Sequence, residues 1–132
     1  MITLDTSALI AILLGEASKP ELVRLTKGHE LIAPQSLHWE MANAFSAKFK
    51  RKPRTLSLEE ARAALELYKT IPLRFVDIAL DRAVEIAHEL DIYAYDAFML
   101  AATERYSAPL LSLDNRCIAL AKELELPVLE VS

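Results

Sequence analysis

The stretch Ile2-Thr3-Leu4-Asp5-Thr6-Ser7-Ala8-Leu9, continuing as Ile10-Ala11-Ile12-Leu13-Leu14, decides the fold. Ile2 to Leu4 is a short apolar, β-branched run, which reads as a buried strand. Asp5 ends it, Thr6 and Ser7 offer capping hydroxyls, and Ala8 to Leu14 is unbroken apolar sequence suited to a buried helix. A carboxylate at the carboxyl end of a strand, facing the start of a helix, stands where open α/β sheets place their ligand chemistry. Alone, Asp5 reads first as a turn or capping residue. Its meaning depends on whether other acids arrive at matching places.

Working outward, strands and helices alternate. Gly15 breaks the first helix, and Ser18, Pro20 and Glu21 open a second that ends at Lys27-Gly28. Residues 30–33 form a short strand closed by Pro34. Ser36 starts a helix to about Lys50, with Leu37, Met41, Ala44, Ala47 and Lys48 on one side and Glu40 near that face. Pro53 stops it. Ser57 followed by Glu60 is a capping box, opening a helix to about Thr70. Leu73 to Val76 reads as a strand and Asp81 to Leu90 as an amphipathic helix. Another helix opens at Tyr95-Asp96-Ala97 and ends near Tyr106. Leu110 to Leu113 is a strand terminated by Asp114-Asn115, a helix follows from about Arg116 to Leu124, and Pro127 to Val131 is a last strand. Such alternation predicts one layered α/β domain with a parallel sheet covered on both faces.

The totals agree. A chain of 132 residues with 53% hydrophobic content and 2 glycines is a single compact domain with a real core. Lys plus Arg number 15 against 19 Asp plus Glu, a net charge of −4, so global charge does not mark a nucleic-acid binder. No positive segment precedes an apolar stretch at the N-terminus, and Ala8–Leu14 is too short to span a bilayer, so no membrane role is expected. One cysteine, Cys117, excludes an internal disulfide framework and fits a reducing cytoplasm. Its helix position predicts a core residue.

Four acids stand where this fold can bring them together. Asp5 ends strand one, Asp114 ends a strand expected beside it, Asp96 lies in the first turn of the helix leading into that strand, and Glu40 rises from a helix over the same edge. Two carboxylates about 4 Å apart repel by roughly 4 kcal/mol at an effective dielectric near 20. A pocket holding four therefore requires shared protons or cations. Carboxylates with Ser and Thr hydroxyls nearby are hard ligands, suited to Mg²⁺ or Mn²⁺ and not to zinc. His29, His38 and His88 are scattered and show no ligand spacing. Such a site can orient water and stabilise charge on a phosphoryl oxygen.

On these residues the chain resembles a PIN-domain ribonuclease, most closely the toxin subunit of VapBC-type toxin–antitoxin pairs. The resemblance covers essentially the whole length, 1–132, as a single domain. It rests on Leu4-Asp5-Thr6-Ser7-Ala8-Leu9, on Glu40, on Tyr95-Asp96-Ala97 and on Leu111-Ser112-Leu113-Asp114. It implies a three-layer PIN-like fold whose central parallel sheet has four to five strands. It also makes Asp5, Glu40, Asp96 and Asp114 the acidic metal site, with Ser7 and Ser112 as polar support. Ser112 stands where many relatives carry Thr, and the hydroxyl is kept. Asp5, Asp96 and Asp114 would hold the metal, and Glu40 a second ion or a water. The reaction implied is hydrolysis of an RNA phosphodiester by activated water, leaving 5′-phosphate and 3′-hydroxyl ends. Homodimerisation and a small VapB-type antitoxin, its C-terminal segment covering the acidic groove, are implied as well.

Lys48, Lys50, Arg51, Lys52 and Arg54 place five positive charges in seven residues. A solvated helix end explains them, since cations suit a helix C-terminus; equally, Lys50, Arg51 and Lys52 could contact RNA phosphates. Without the four acids the balance is 15 positive against 15 negative, so such a patch could steer RNA locally. Trp39, Met41, Phe45 and Phe49 crowd the third helix, mostly for core packing, with enough apolar arc left to bury one side in a partner. Asp77, Asp81 and Asp91 read as cap or loop acids. No serine lies beside a histidine base, and Cys117 lacks one. A dehalogenase-type phosphatase would need an acid where Ser7 stands, and a phosphoacceptor receiver domain would need paired acids after strand one. The remaining alternative is a non-catalytic PIN fold that only binds RNA or protein.

Overall fold

The computed structural model describes residues 1–132. In chain order the elements are β1 (Ile2–Leu4), α1 (Thr6–Leu14), α2 (Lys19–Thr26), β2 (Leu31–Pro34), α3 (Ser36–Lys50), α4 (Leu58–Tyr68), β3 (Leu73–Val76), α5 (Leu80–Leu90), α6 (Ala94–Tyr106), β4 (Leu110–Leu111) and α7 (Asn115–Glu123). The four strands form one parallel sheet in the order β3-β2-β1-β4. Thr3 is the hub of the register, facing Ile32 on one side and Leu110 on the other.

Both faces of the sheet are covered, and the pleat decides which residue meets which layer. Ile2, Leu4, Leu31 and Ala33 enter the main core with the apolar side chains of α1. Ile32 points the other way, into a smaller cluster with Val76, Ala102 and Ala108. Thr3 is fully buried, and its hydroxyl donates to the Ala108 carbonyl at 3.0 Å, so the polar group costs little. This is the three-layer α/β architecture expected from the alternation.

The buried helix α1 is apolar nearly all round, with Ala8, Leu9 and Ala11 inaccessible to solvent. It stops at Gly15, whose φ of 66° is the left-handed conformation that glycine adopts without strain. The capping box of α4 is formed in full: Glu60 N–H donates to Ser57 Oγ, and Ser57 N–H to Glu60 Oε1, each at 3.1 Å.

Two readings are corrected. The inward face of α3 is Leu37, Met41 and Phe45, spaced by four, whereas Ala47 is exposed and so is Trp39. The run 127–131 is not a strand; it touches the sheet only through a bridge between Val128 and Leu110. The cause lies in β4, which is two residues long. Beyond Leu111 the backbone leaves the ladder, and the N–H groups of Leu113 and Asp114 bond to Ser7 Oγ and Ser112 Oγ instead. A two-residue strand leaves little edge for a fifth to pair with.

Candidate active site

In the order β3-β2-β1-β4 the direction in which strands are added reverses at β1, between β1 and β4, and the crevice beyond the carboxyl ends of these parallel strands is the topological switch point. Asp5 directly follows β1, and Asp114 is the N-cap of α7, just after β4. Their approach is a consequence of strand pairing, because Asp5 N–H donates to the Leu111 carbonyl at 3.0 Å.

Asp5 occupies the N-cap position of α1, yet its side chain makes no capping bond. Instead Oδ2 accepts from Ser7 Oγ and from Ser112 Oγ, both at 2.7 Å. Each hydroxyl has one proton and spends it on Asp5; its oxygen then accepts a backbone N–H, from Leu113 at 2.9 Å and from Asp114 at 3.0 Å respectively. The two serines therefore clamp the buried carboxylate and the chain leading to Asp114 together. Oδ1 of Asp5 has no partner in the protein and is free for a ligand.

Glu40, in the second turn of α3, accepts from Thr6 Oγ1 through Oε2 at 2.9 Å. Burial raises its carboxyl above the ordinary glutamate value; the Thr6 bond opposes the rise, and the charges of Asp5 and Asp96 add to it. Asp96 sits in the first turn of α6 and accepts from Arg116 Nη1 at 2.9 Å. Asp114 caps α7 through Oδ1, accepting the N–H groups of Arg116 at 2.9 Å and Cys117 at 3.4 Å.

All four acids line one cleft of about 530 Å³, together with Thr6, Ser7, Asn43, Trp39, Tyr95 and Arg116. The donor set is oxygen only, which fits a hard divalent ion. No three acidic, histidine or cysteine side chains meet at ion-binding distances; Asp96 is bonded to Arg116 and Asp114 to the α7 amides. None of the three histidines lines the cleft. Cys117 does. Burial and then the charges of Asp5 and Asp114 push its thiol far above the usual range, so it stays protonated and is a poor nucleophile.

Sequence reasoning missed Arg116, treated Thr6 only as a cap, and left Asn43 without a role. A signal for Arg116 existed: a cation in the first turn of a helix opposes the macrodipole and calls for an anionic partner. The basic run lies at the far end of α3, ten residues beyond Glu40 and so about 15 Å along the axis. There Lys50, Arg51 and Lys52 are exposed and have no acidic partner.

The family model described as PIN domain matches residues 2–123. The chain belongs to the PIN domain family. Solved structures similar to this PIN domain include PAE2754 from Pyrobaculum aerophilum, with TM-score 0.65, 20% identity and coverage of 93% of this chain and 92% of the other. VapC20 of Mycobacterium tuberculosis, described as a Sarcin-Ricin loop cleaving toxin, aligns with TM-score 0.64 and 16% identity over 90% and 94% of the chains. VapBC2 from Rickettsia felis, solved bound to a DNA fragment of its promoter, gives TM-score 0.67 and 16% identity over 98% of each chain. At such identities the likeness is one of fold. No curated protein matches the sequence significantly.

Proposed function

We propose that this PIN domain, a single domain over residues 1–132, is a Mg²⁺- or Mn²⁺-dependent endoribonuclease and the toxin of a VapBC-type toxin–antitoxin pair. The observation that carries the reading is the gathering of Asp5, Glu40, Asp96 and Asp114, from four separate elements, around one cleft at the switch point of the sheet. Toxins of this kind among its structural neighbours support the biological role.

Asp5, Asp96 and Asp114 would hold the ion, and Glu40 a second ion or the attacking water. A bound divalent ion supplies charge neutralisation at the phosphodiester and makes water more acidic. The rest is done by the chain itself. Ser7 and Ser112 fix the Asp5 carboxylate through Oδ2, which leaves Oδ1 without a protein partner and the group already oriented. Glu40, with its raised proton affinity and its Oε2 tethered by Thr6, is suited to take a proton from water. Arg116 offers its guanidinium to a phosphate once Asp96 is otherwise occupied. Lys50, Arg51 and Lys52 would hold phosphates further along the strand.

The same reading entails a cytoplasmic protein, a homodimer, and a VapB-type antitoxin whose C-terminal segment covers the cleft. No helix of the chain is long and apolar enough to cross a membrane. Incubating purified wild type and Asp5→Asn with mixed RNA, in Mg²⁺, Mn²⁺ and EDTA, tests the activity. Cleavage by wild type with either metal, lost in EDTA and in the variant, is the expected result. Intact RNA in every lane would leave a non-catalytic binding module.

A further inference from the structure

The cleft has two unemployed aromatic rings at its lip. Trp39 is 62% exposed and Tyr95 65% exposed, and both line the cleft that holds the acids. Their placement repeats in sequence: Trp39 immediately precedes Glu40 on α3, and Tyr95 immediately precedes Asp96 on α6. On a helix, adjacent residues diverge by about 100°, so where the acid turns to the floor of a crevice its neighbour stands at the rim. Rings of this size are normally buried for their apolar area. These two are left in water at the same site.

Each ring has a single, nearly perpendicular aromatic neighbour. His38 lies 5.1 Å from Trp39 at 80°, and Phe98 lies 5.7 Å from Tyr95 at 78°. Such contacts brace a ring without stacking on it, so neither ring has a parallel partner. The indole Nε1 and the phenol hydroxyl make no hydrogen bond within the protein and remain free for a base edge. Charge narrows the occupant. A floor of four carboxylates opposes polyanions unless cations intervene, whereas a nucleobase is uncharged and presents a π-face. A second copy of the chain seated over Trp39 and Tyr95 would also seal the acids.

We infer that Trp39 and Tyr95 form a stacking site for unpaired nucleobases flanking the phosphate to be cleaved. The inference rests on the ribonuclease reading and deepens it by naming the two side chains that would hold the bases, since a ring can stack only on a base with a free face. Trp39 and Tyr95 are then positioning residues, while the acids carry the chemistry.

Trp39 is the chain's one tryptophan, so its emission reports on this site alone. Wild type is mixed in Mg²⁺ with an end-labelled nine-nucleotide single-stranded RNA, or with the same strand lacking its three central bases. Stopped-flow Trp39 emission is followed before the first turnover, label anisotropy reports total binding, and a gel of the same mixture reports cleavage. The intact strand should quench Trp39 saturably. The abasic strand, of equal charge, should not quench and should bind roughly fivefold to a hundredfold more weakly. Tyr95→Leu should weaken the intact strand by a similar factor and the abasic strand little. If the intact strand binds and is cut with emission unchanged, or the abasic strand binds equally well, the stacking site falls and the ribonuclease stands. Base-dependent quenching without cleavage removes the nuclease and leaves the two rings as a base-binding site with no phosphate to position. Neither binding nor cleavage removes both, and quenching that depends on protein concentration alone assigns the rings to a second copy.

Discussion

Arg116 serves two of the four acids at once. Its guanidinium Nη1 donates to Asp96 Oδ2 at 2.9 Å, and its backbone N–H donates to Asp114 Oδ1 at the same distance. One residue thus links the start of α6 to the start of α7 across the mouth of the cleft. The ion pair is well exposed, 61% on the arginine and 41% on the aspartate, so its net worth is at most about 1 kcal/mol and a divalent ion can displace it.

That weakness gives a direct expectation for Arg116→Ala. Removing a cation that competes for Asp96 should tighten Mn²⁺ binding by up to about fivefold. Isothermal titration of wild type and variant with Mn²⁺ measures it. Equal or weaker binding in the variant would mean that Arg116 does not compete with the ion for Asp96.

Ser112→Ala removes the donor to Asp5 and the acceptor of Asp114 N–H together. The site is buried and the acceptor charged, so a loss of about 2 kcal/mol of folding stability is expected, along with most of the activity. Urea denaturation reads the first effect. A midpoint equal to that of wild type would show that Asp5 is oriented by something other than the serine clamp.

The raised carboxyl of Glu40 has a signature in metal-free protein. A group with a higher pKa in the fold than in the unfolded chain contributes its stability at low pH. That contribution is lost as pH climbs from the ordinary glutamate value through the raised one. Wild type in EDTA should therefore lose thermal stability over this window relative to Glu40→Gln, and at neutral pH the variant should melt at the same temperature or higher. Adding Mg²⁺ should restore wild type more than the variant, by mass action. A variant that is less stable than wild type in EDTA at neutral pH contradicts the account.

For the basic end of α3, the triple change Lys50→Ala, Arg51→Ala, Lys52→Ala is decisive. If each side chain meets a phosphate, the slope of log affinity against log salt should fall by about 0.7 per contact, roughly 2 in all, with metal binding intact. Fluorescence anisotropy across a salt series measures it, and an unchanged slope returns the run to a solvated helix end.

Assembly is tested by light scattering at micromolar concentration, where a homodimer is expected. The large apolar side chains of α3 that suggested a partner go mainly into the core, and α5 instead leaves Leu80 and Val84 exposed, 66% and 61%, one turn apart. If that pair lies in the interface, Leu80→Asp with Val84→Asp should yield monomer. A wild type that is already monomeric ends the dimer reading.

The order of elements was legible in the sequence because it rests on local rules, its alternation pointed to the parallel sheet, and the four acids stood out as candidates that the family resemblance grouped into one site. An apolar run between breakers is a strand or helix wherever it lies, and a carboxylate at a strand end is visible as such. Ser57 and Glu60 announced their capping box for the same reason. Tertiary structure alone decided what these groups do to one another. Whether Trp39 or Phe45 faces inward depends on a rotation of α3 that its apolar arc, wide enough for both, left open. The fifth strand failed because the chain just after β4 gives the N–H groups of Leu113 and Asp114 to the hydroxyls of Ser7 and Ser112, a competition no stretch of residues 127–131 records. The roles of Thr6 on Glu40, of Ser112 on Asp5 and of Arg116 on Asp96 join residues 34, 107 and 20 positions apart. Composition and spacing name such partners only after the chain has brought them within hydrogen-bond reach.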